Sequence, residues 1–139
     1  MTAILGLNAY HGDASAAVVV DGELVAAAEE ERFSRVKHVA GFPTLAAGWC
    51  LQHAGIGAGE LDHVAIGRDP RANLGAKIVQ TAGRLRNPSY VADRLRSMSK
   101  VRGVRDHLAE ALGIPAGELN AKFQNVEHHQ AHAASAFFV

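Results

Sequence analysis

Three histidines fall within five residues near the end of the chain, in Glu127-His128-His129-Gln130-Ala131-His132, ahead of the small and apolar run Ala133-Ala134-Ser135-Ala136-Phe137-Phe138-Val139. In a helix, residues four apart lie one turn from each other on one face, so His128 and His132 would aim two imidazoles at a single point. Two imidazoles so placed can hold one divalent cation, as a His-x-x-x-His pair does on a metalloprotease helix. The glutamate that acts as general base in that other motif has no counterpart, because Gln130 and Ala131 fill the interior. A metal here would need a further protein ligand and would bind a substrate rather than activate water. His129 points about 100° away from His128 and reads as a supporting or surface residue. The spacing by itself is also met by histidines that are merely solvated or packed.

Two further stretches carry reactive or charged side chains. Asn8-Ala9-Tyr10-His11-Gly12-Asp13 is a turn-rich break between apolar runs, and Glu29-Glu30-Glu31-Arg32-Phe33-Ser34-Arg35-Val36-Lys37-His38 is densely charged. Charge of both signs at the end of a strand is where ligand contacts gather, although a solvated loop has the same composition.

The elements that must position these residues follow from the apolar pattern. Residues 3–7 suit a buried strand, Ala14 to Val20 a second, and Glu23 to Ala28 a third, with Asp21-Gly22 as a hairpin turn. Nearly unbroken apolar runs predict a sheet covered on both faces. Phe42-Pro43 introduces a helix over Thr44 to Ala54, stopped by Gly55, with Trp49 and Cys50 expected in the core. A fourth strand is expected over Asp62 to Gly67 and a fifth over Ala121 to Val126, which delivers the chain to the histidine helix. Between them, residues 68–112 form a basic segment with helices expected over 73–84, 89–100 and 101–112. Arg68, Arg71, Lys77, Arg84, Arg86, Arg94, Arg96, Lys100, Arg102 and Arg105 are spread there among few acids. Such a segment suits phosphate-bearing ligands. Tyr90 is its only aromatic residue, so the stacking platforms of single-strand binders are missing and a nucleic-acid partner is not expected.

Composition sets the outer bounds. The 139 residues are one domain's worth, with 14 basic and 14 acidic side chains and no net charge, so nothing pulls the whole molecule toward nucleic acid or an anionic membrane. One cysteine excludes an internal disulfide framework and a cysteine-based zinc site. No apolar run reaches the length of a membrane span, and no basic leader precedes the first strand, so no membrane partner is expected and the cytosol is the default. The chain stops at Val139 inside an apolar stretch, without a helix stop signal. That predicts a truncated or split chain.

The order of three meandering strands, helix, strand, helical insertion, strand and helix resembles the N-terminal lobe of the actin/hexokinase-like (ASKHA) fold, an α/β mixed sheet with flanking helices. There the first hairpin loop cradles phosphate with backbone N–H groups that small residues expose. Three stretches in the same order make the resemblance more specific. Gly6-Leu7-Asn8 with His11-Gly12-Asp13-Ala14-Ser15-Ala16-Ala17, the charged run Glu29 to His38, and Glu127 to Phe137 together look like the O-carbamoyltransferases of nodulation-factor and antibiotic biosynthesis. The likeness covers Ile4 to about Leu51 and Phe123 to the end, leaving the basic middle unmatched.

The resemblance implies an enzyme that makes carbamoyl-adenylate from carbamoyl phosphate and ATP, usually in a YrdC-like domain, and passes the carbamoyl group to a small-molecule hydroxyl in the actin-like domain. It implies an iron-type divalent metal on His128 and His132, with an Asp from the later half of the fold. It makes His11 the candidate base for the acceptor hydroxyl, as suits a group that titrates near neutral pH. Asn8, Gly12, Asp13 and Ser15 would line the first loop at the nucleotide, and Arg35 and Lys37 would meet the anionic part of carbamoyl-adenylate. The sequence departs from that pattern in containing no second lobe, no second phosphate loop, no matching Asp and no YrdC-like domain. Residues 1–139 are therefore expected to be a partial domain, inactive alone and prone to associate with itself or with the missing part. Two other readings stay open: a piece of another actin-like ATPase or kinase, and a free-standing metal- or nucleic-acid-binding module.

Overall fold

A computed structural model describes residues 1–10, 12–68 and 103–138. The expected helices over 73–84 and 89–100, and the candidate base His11, lie outside the described residues.

Five strands form one mixed sheet: β1 (Ala3–Asn8), β2 (Ser15–Val20), β3 (Glu23–Glu29), β4 (His63–Ile66) and β5 (Lys122–Asn125). Their spatial order is β3-β2-β1-β4-β5. The first three are an antiparallel meander, with Leu5 opposite Val18 and Ala17 opposite Ala27. β4 then adds parallel to β1 (Leu5 beside Val64), and β5 parallel to β4 (Val64 beside Phe123). A three-strand meander followed by two single strands is the order that the sequence predicts. The Asp21-Gly22 turn forms as the sequence predicts, both residues taking positive φ (50° and 92°), which matches the twist of the strands that they join.

Four α-helices accompany the sheet among the described residues: α1 (Glu31–Ser34), α2 (Thr44–Ala54), α3 (Val104–Leu112) and α4 (His128–Phe138). The boundaries of α2 fall where the sequence places them, and Gly55 closes the helix in the left-handed region at φ 66°. The expected helix over 101–112 is seen from Val104. No described helix is long and apolar enough to cross a membrane.

The core lies on one face of the sheet. Leu5, Leu7, Val18, Val64 and Ile66 meet Ala46, Ala47, Cys50 and Leu51 of α2 and Val104 and Leu108 of α3. Each fully buried Leu or Val there contributes roughly 1.5–3 kcal/mol. The expectation of a sheet covered on both faces is corrected: β1 alternates buried and half-buried residues, and β3 is mostly exposed. Among the described residues the helices pack on one side, and the opposite face of β2 and β3 mixes small side chains such as Ala17 and Ala27 with the exposed Leu24 and Val25.

Trp49 is corrected as well. It is 38% exposed rather than core, and Leu45 one turn before it is 50% exposed. Helix α2 is apolar nearly all round, so periodicity could not choose its inner face. The alanine-rich strand opposite admits a close helix, and Ala46, Ala47 and Cys50 turn inward together with Leu51, while Leu45 and Trp49 turn out. Trp49 instead stacks on His53, with ring centroids 4.9 Å apart, and meets Phe33 of α1 at 6.0 Å.

Candidate functional site

Parallel strands end at the same edge of a sheet, and that edge gathers the residues with chemistry. β1 ends at Asn8 and runs into the first loop; β5 ends at Asn125 and runs into α4. In register, Leu7 lies beside Ile66 and Ile66 beside Asn125. The two ends are thus two strand spacings apart, roughly 10 Å. Open α/β sheets characteristically bind ligands outside the carboxyl ends of their strands.

The first loop is held from several sides. The Asn8 side chain donates to the Asp13 carbonyl at 2.9 Å and to the Gly12 carbonyl at 3.5 Å. Because a trans peptide sets its N–H opposite its carbonyl, drawing the Gly12 carbonyl toward Asn8 aims the Asp13 N–H away from it. Gly12 has open space where a Cβ would be. On the other side, the Tyr10 N–H donates to Gly41 and the Ala14 N–H to Val39, both at 2.9 Å. The His38 Nδ1–H donates to the Asp13 carboxylate at 2.8 Å. Tyr10, Asp13, Arg35 and His38 all have φ between 56° and 64°, four of the five non-glycine residues with positive φ among those described. Each such backbone costs of order 1–3 kcal/mol, and clustered strain of this kind marks switch and ligand-clamp regions.

Asn8, Gly12 and Asp13 therefore share one loop, whereas Ser15 opens β2 opposite Asn8 and beside Glu29. Arg35 and Lys37 are exposed on the segment that runs alongside the loop. Arg35 also closes α1, its N–H donating to the Glu31 carbonyl.

The histidine helix begins where expected. Glu127 supplies its N-terminal cap: one carboxylate oxygen accepts from the Gln130 N–H at 3.1 Å and the other from His129 Nδ1 at 2.7 Å. These bonds hold the Glu127 carboxyl below its ordinary range. His128 and His132 converge, with Nε2 atoms 3.1 Å apart and rings nearly perpendicular at 89°. Two nitrogens bound to one tetrahedral metal at about 2.0–2.1 Å lie about 3.3 Å apart, so the pair fits two adjacent positions of a single cation. No set of three or more histidine, cysteine or carboxylate side chains gathers among the described residues. The pair can be part of a metal centre, completed by groups other than these.

Three participants escaped the sequence reading. Glu30, 6% exposed, is the only buried charged residue among those described, and it accepts from the Leu45 and Ala46 N–H groups at 3.2 and 2.9 Å. It thereby caps α2 from a distance in sequence that no local motif reveals. Tyr10 shares a 2.7 Å hydrogen bond with His107 of α3 and packs on Phe42, joining the first loop to a helix almost a hundred residues away. His38 had a signal, being the last residue of the charged stretch, but only its contact with Asp13 gives it a place. Conversely, Arg105 leaves the basic set. It donates to the Leu119 and Ala121 carbonyls and covers the Phe123 ring at 4.5 Å, tying α3 to the approach to β5.

Known proteins resemble this chain in sequence. The family profile described as the carbamoyltransferase N-terminus matches residues 3–139. An uncharacterized protein of Synechocystis sp., sll1178, is 38% identical over 145 aligned positions, covering 99% of this chain and 23% of that protein. Nodulation protein NolNO of Sinorhizobium fredii is 32% identical over 130 positions, covering 94% and 18%. The chain thus spans about a fifth of the length of these two relatives. Among solved structures, YeaZ from Pseudomonas aeruginosa aligns over 99% of this chain and 50% of its own, at 18% identity and a TM-score of 0.49.

Proposed function

The chain belongs to the family of carbamoyltransferase N-termini, and from that premise we propose that it supplies the nucleotide loop and two metal ligands of an O-carbamoyltransferase. The observation that supports this reading most is topological: the carboxyl edge of β1, β4 and β5 brings Asn8, Gly12 and Asp13 to the same end of the sheet as His128 and His132. Carbamoyl-adenylate, made from carbamoyl phosphate and ATP, is the donor, and a small molecule bearing a hydroxyl is the acceptor. The hydroxyl oxygen attacks the carbamoyl carbon and the bond from that carbon to the phosphate oxygen breaks. AMP leaves, and His11 takes the hydroxyl proton. The first loop orients the phosphate through backbone N–H groups, while Arg35 and Lys37 offset its charge. An iron-type divalent metal held by His128 and His132 would neutralise charge on the nucleotide's ribose or phosphate oxygens.

The remaining ligand and the groups that close the site belong to a second lobe. In our reading this is provided by further chain or a partner, and alone the 139 residues associate with themselves and do not turn over. The test is an anaerobic titration with ferrous iron, alone and with that second lobe supplied, beside a His128→Ala/His132→Ala variant. The expected result is weak binding that tightens on completion and falls by about tenfold or more in the variant, with carbamoyl transfer appearing only in the completed protein. Iron binding that ignores both histidines, or nucleotide hydrolysis without carbamoyl transfer, would favour a different actin-like ATPase or kinase.

A further inference from the structure

A loop that receives a phosphate should not present a carboxylate to it, yet between Asn8 and Ala14 the chain carries Asp13. At the separations found within a turn, a like charge disfavours an anion about as strongly as an opposite charge favours it. The structure shows where that carboxylate goes. Asp13 takes a left-handed backbone conformation (φ 64°), and its Oδ1 accepts from His38 Nδ1 at 2.8 Å. His38 itself is left-handed (φ 56°). It sits on a segment pinned to the loop by the backbone bond from Ala14 to Val39. Both ends of the pair thus occupy costly backbone positions, and the contact joins residues 25 apart in sequence.

We propose that His38 is the internal counter-ion of the first loop: its imidazole neutralises Asp13 and turns that carboxylate aside, which makes the loop receptive to an oxyanion of the phosphate class. The inference rests on the reading of this loop as an anion site. His38 is then a positioning residue that acts through Asp13, not a catalytic one.

The charged groups facing the ring are Asp13 from the loop and Glu31 from the start of α1; Lys37 precedes it on its own segment. The hydrogen bond and charge of Asp13, with a smaller effect of Glu31, hold His38 above its ordinary value. His38 is protonated below that raised value, so Asp13 is neutralised at acid and near-neutral pH, and the effect is lost as pH rises through it.

Sulfate tests this cleanly, because it stays a dianion across the range in which histidine titrates. Its affinity for the full chain is measured by calorimetry at pH 5.5 and pH 8.5 in four proteins: wild type, His38→Ala, Asp13→Asn and the double variant. The expected pattern is a loss of about two- to fivefold in His38→Ala, as suits an exposed ion pair, recovery in the double variant, and a pH dependence in wild type that His38→Ala flattens. If His38 is only a mechanical latch, its loss loosens the loop whatever the charge at position 13, so the double variant binds as weakly as His38→Ala and nothing is rescued. That pattern overturns the proposal, as does wild type that binds no sulfate at either pH. The readout involves neither metal nor carbamoyl transfer, so it stands or falls separately from the proposed reaction.

Discussion

Glu30 lies between two other glutamates, and nothing in that run marks it as different from its neighbours. Its carboxylate is nevertheless folded inward and takes the place of a local cap on α2, whose N-cap position is occupied by Pro43, a residue with no side chain to offer. Glu30→Ala would leave the Leu45 and Ala46 N–H groups without that acceptor. The expected cost is roughly 1–3 kcal/mol, read as a lower urea midpoint with an unchanged slope. Glu29→Ala, on an exposed neighbour, should shift the midpoint by less than about 0.5 kcal/mol. The candidate site was legible at this scale only where residues act through local spacing. The His128 and His132 pair needs nothing but one helical turn. The partners of Asp13, Tyr10 and Glu30 come from other elements, and no window of sequence contains them.

At the scale of elements, strands and turns were legible because their signals are local: apolar runs bounded by Asp21-Gly22, and Gly55 at the end of α2. The face that a helix turns inward is a different kind of fact. Trp49 is the chain's single tryptophan, so its position can be measured directly. Its fluorescence in the native protein should be quenched by iodide, though less than in the unfolded chain, whereas a core tryptophan would be shielded. Trp49→Ala should cost far less than the roughly 3–5 kcal/mol typical of a buried tryptophan. Leu108→Ala, at a fully buried position of α3, should cost about 2–5 kcal/mol in the same urea experiment.

Among the described residues one buried layer lies between the sheet and helices α2 and α3, and Cys50 reports on it. The thiol has no exposed surface, donates to the Ala16 carbonyl at 3.5 Å, and is pushed up in pKa by burial. It should react with a thiol reagent only through opening of that layer, so its labelling should rise with urea in step with global unfolding. Labelling at a rate independent of denaturant would mean that α2 detaches on its own. The sequence alone determined the strand order along the chain, the extent of α2, the histidine helix and the family, since each depends on patterns a few residues long or on motifs in order. Tertiary structure decided which side of α2 is buried, which glutamate becomes a cap, and which histidine holds the first loop. Those outcomes depend on how closely a helix can approach an alanine-rich strand and on contacts between residues far apart in the chain, and both exist only once the sheet has formed.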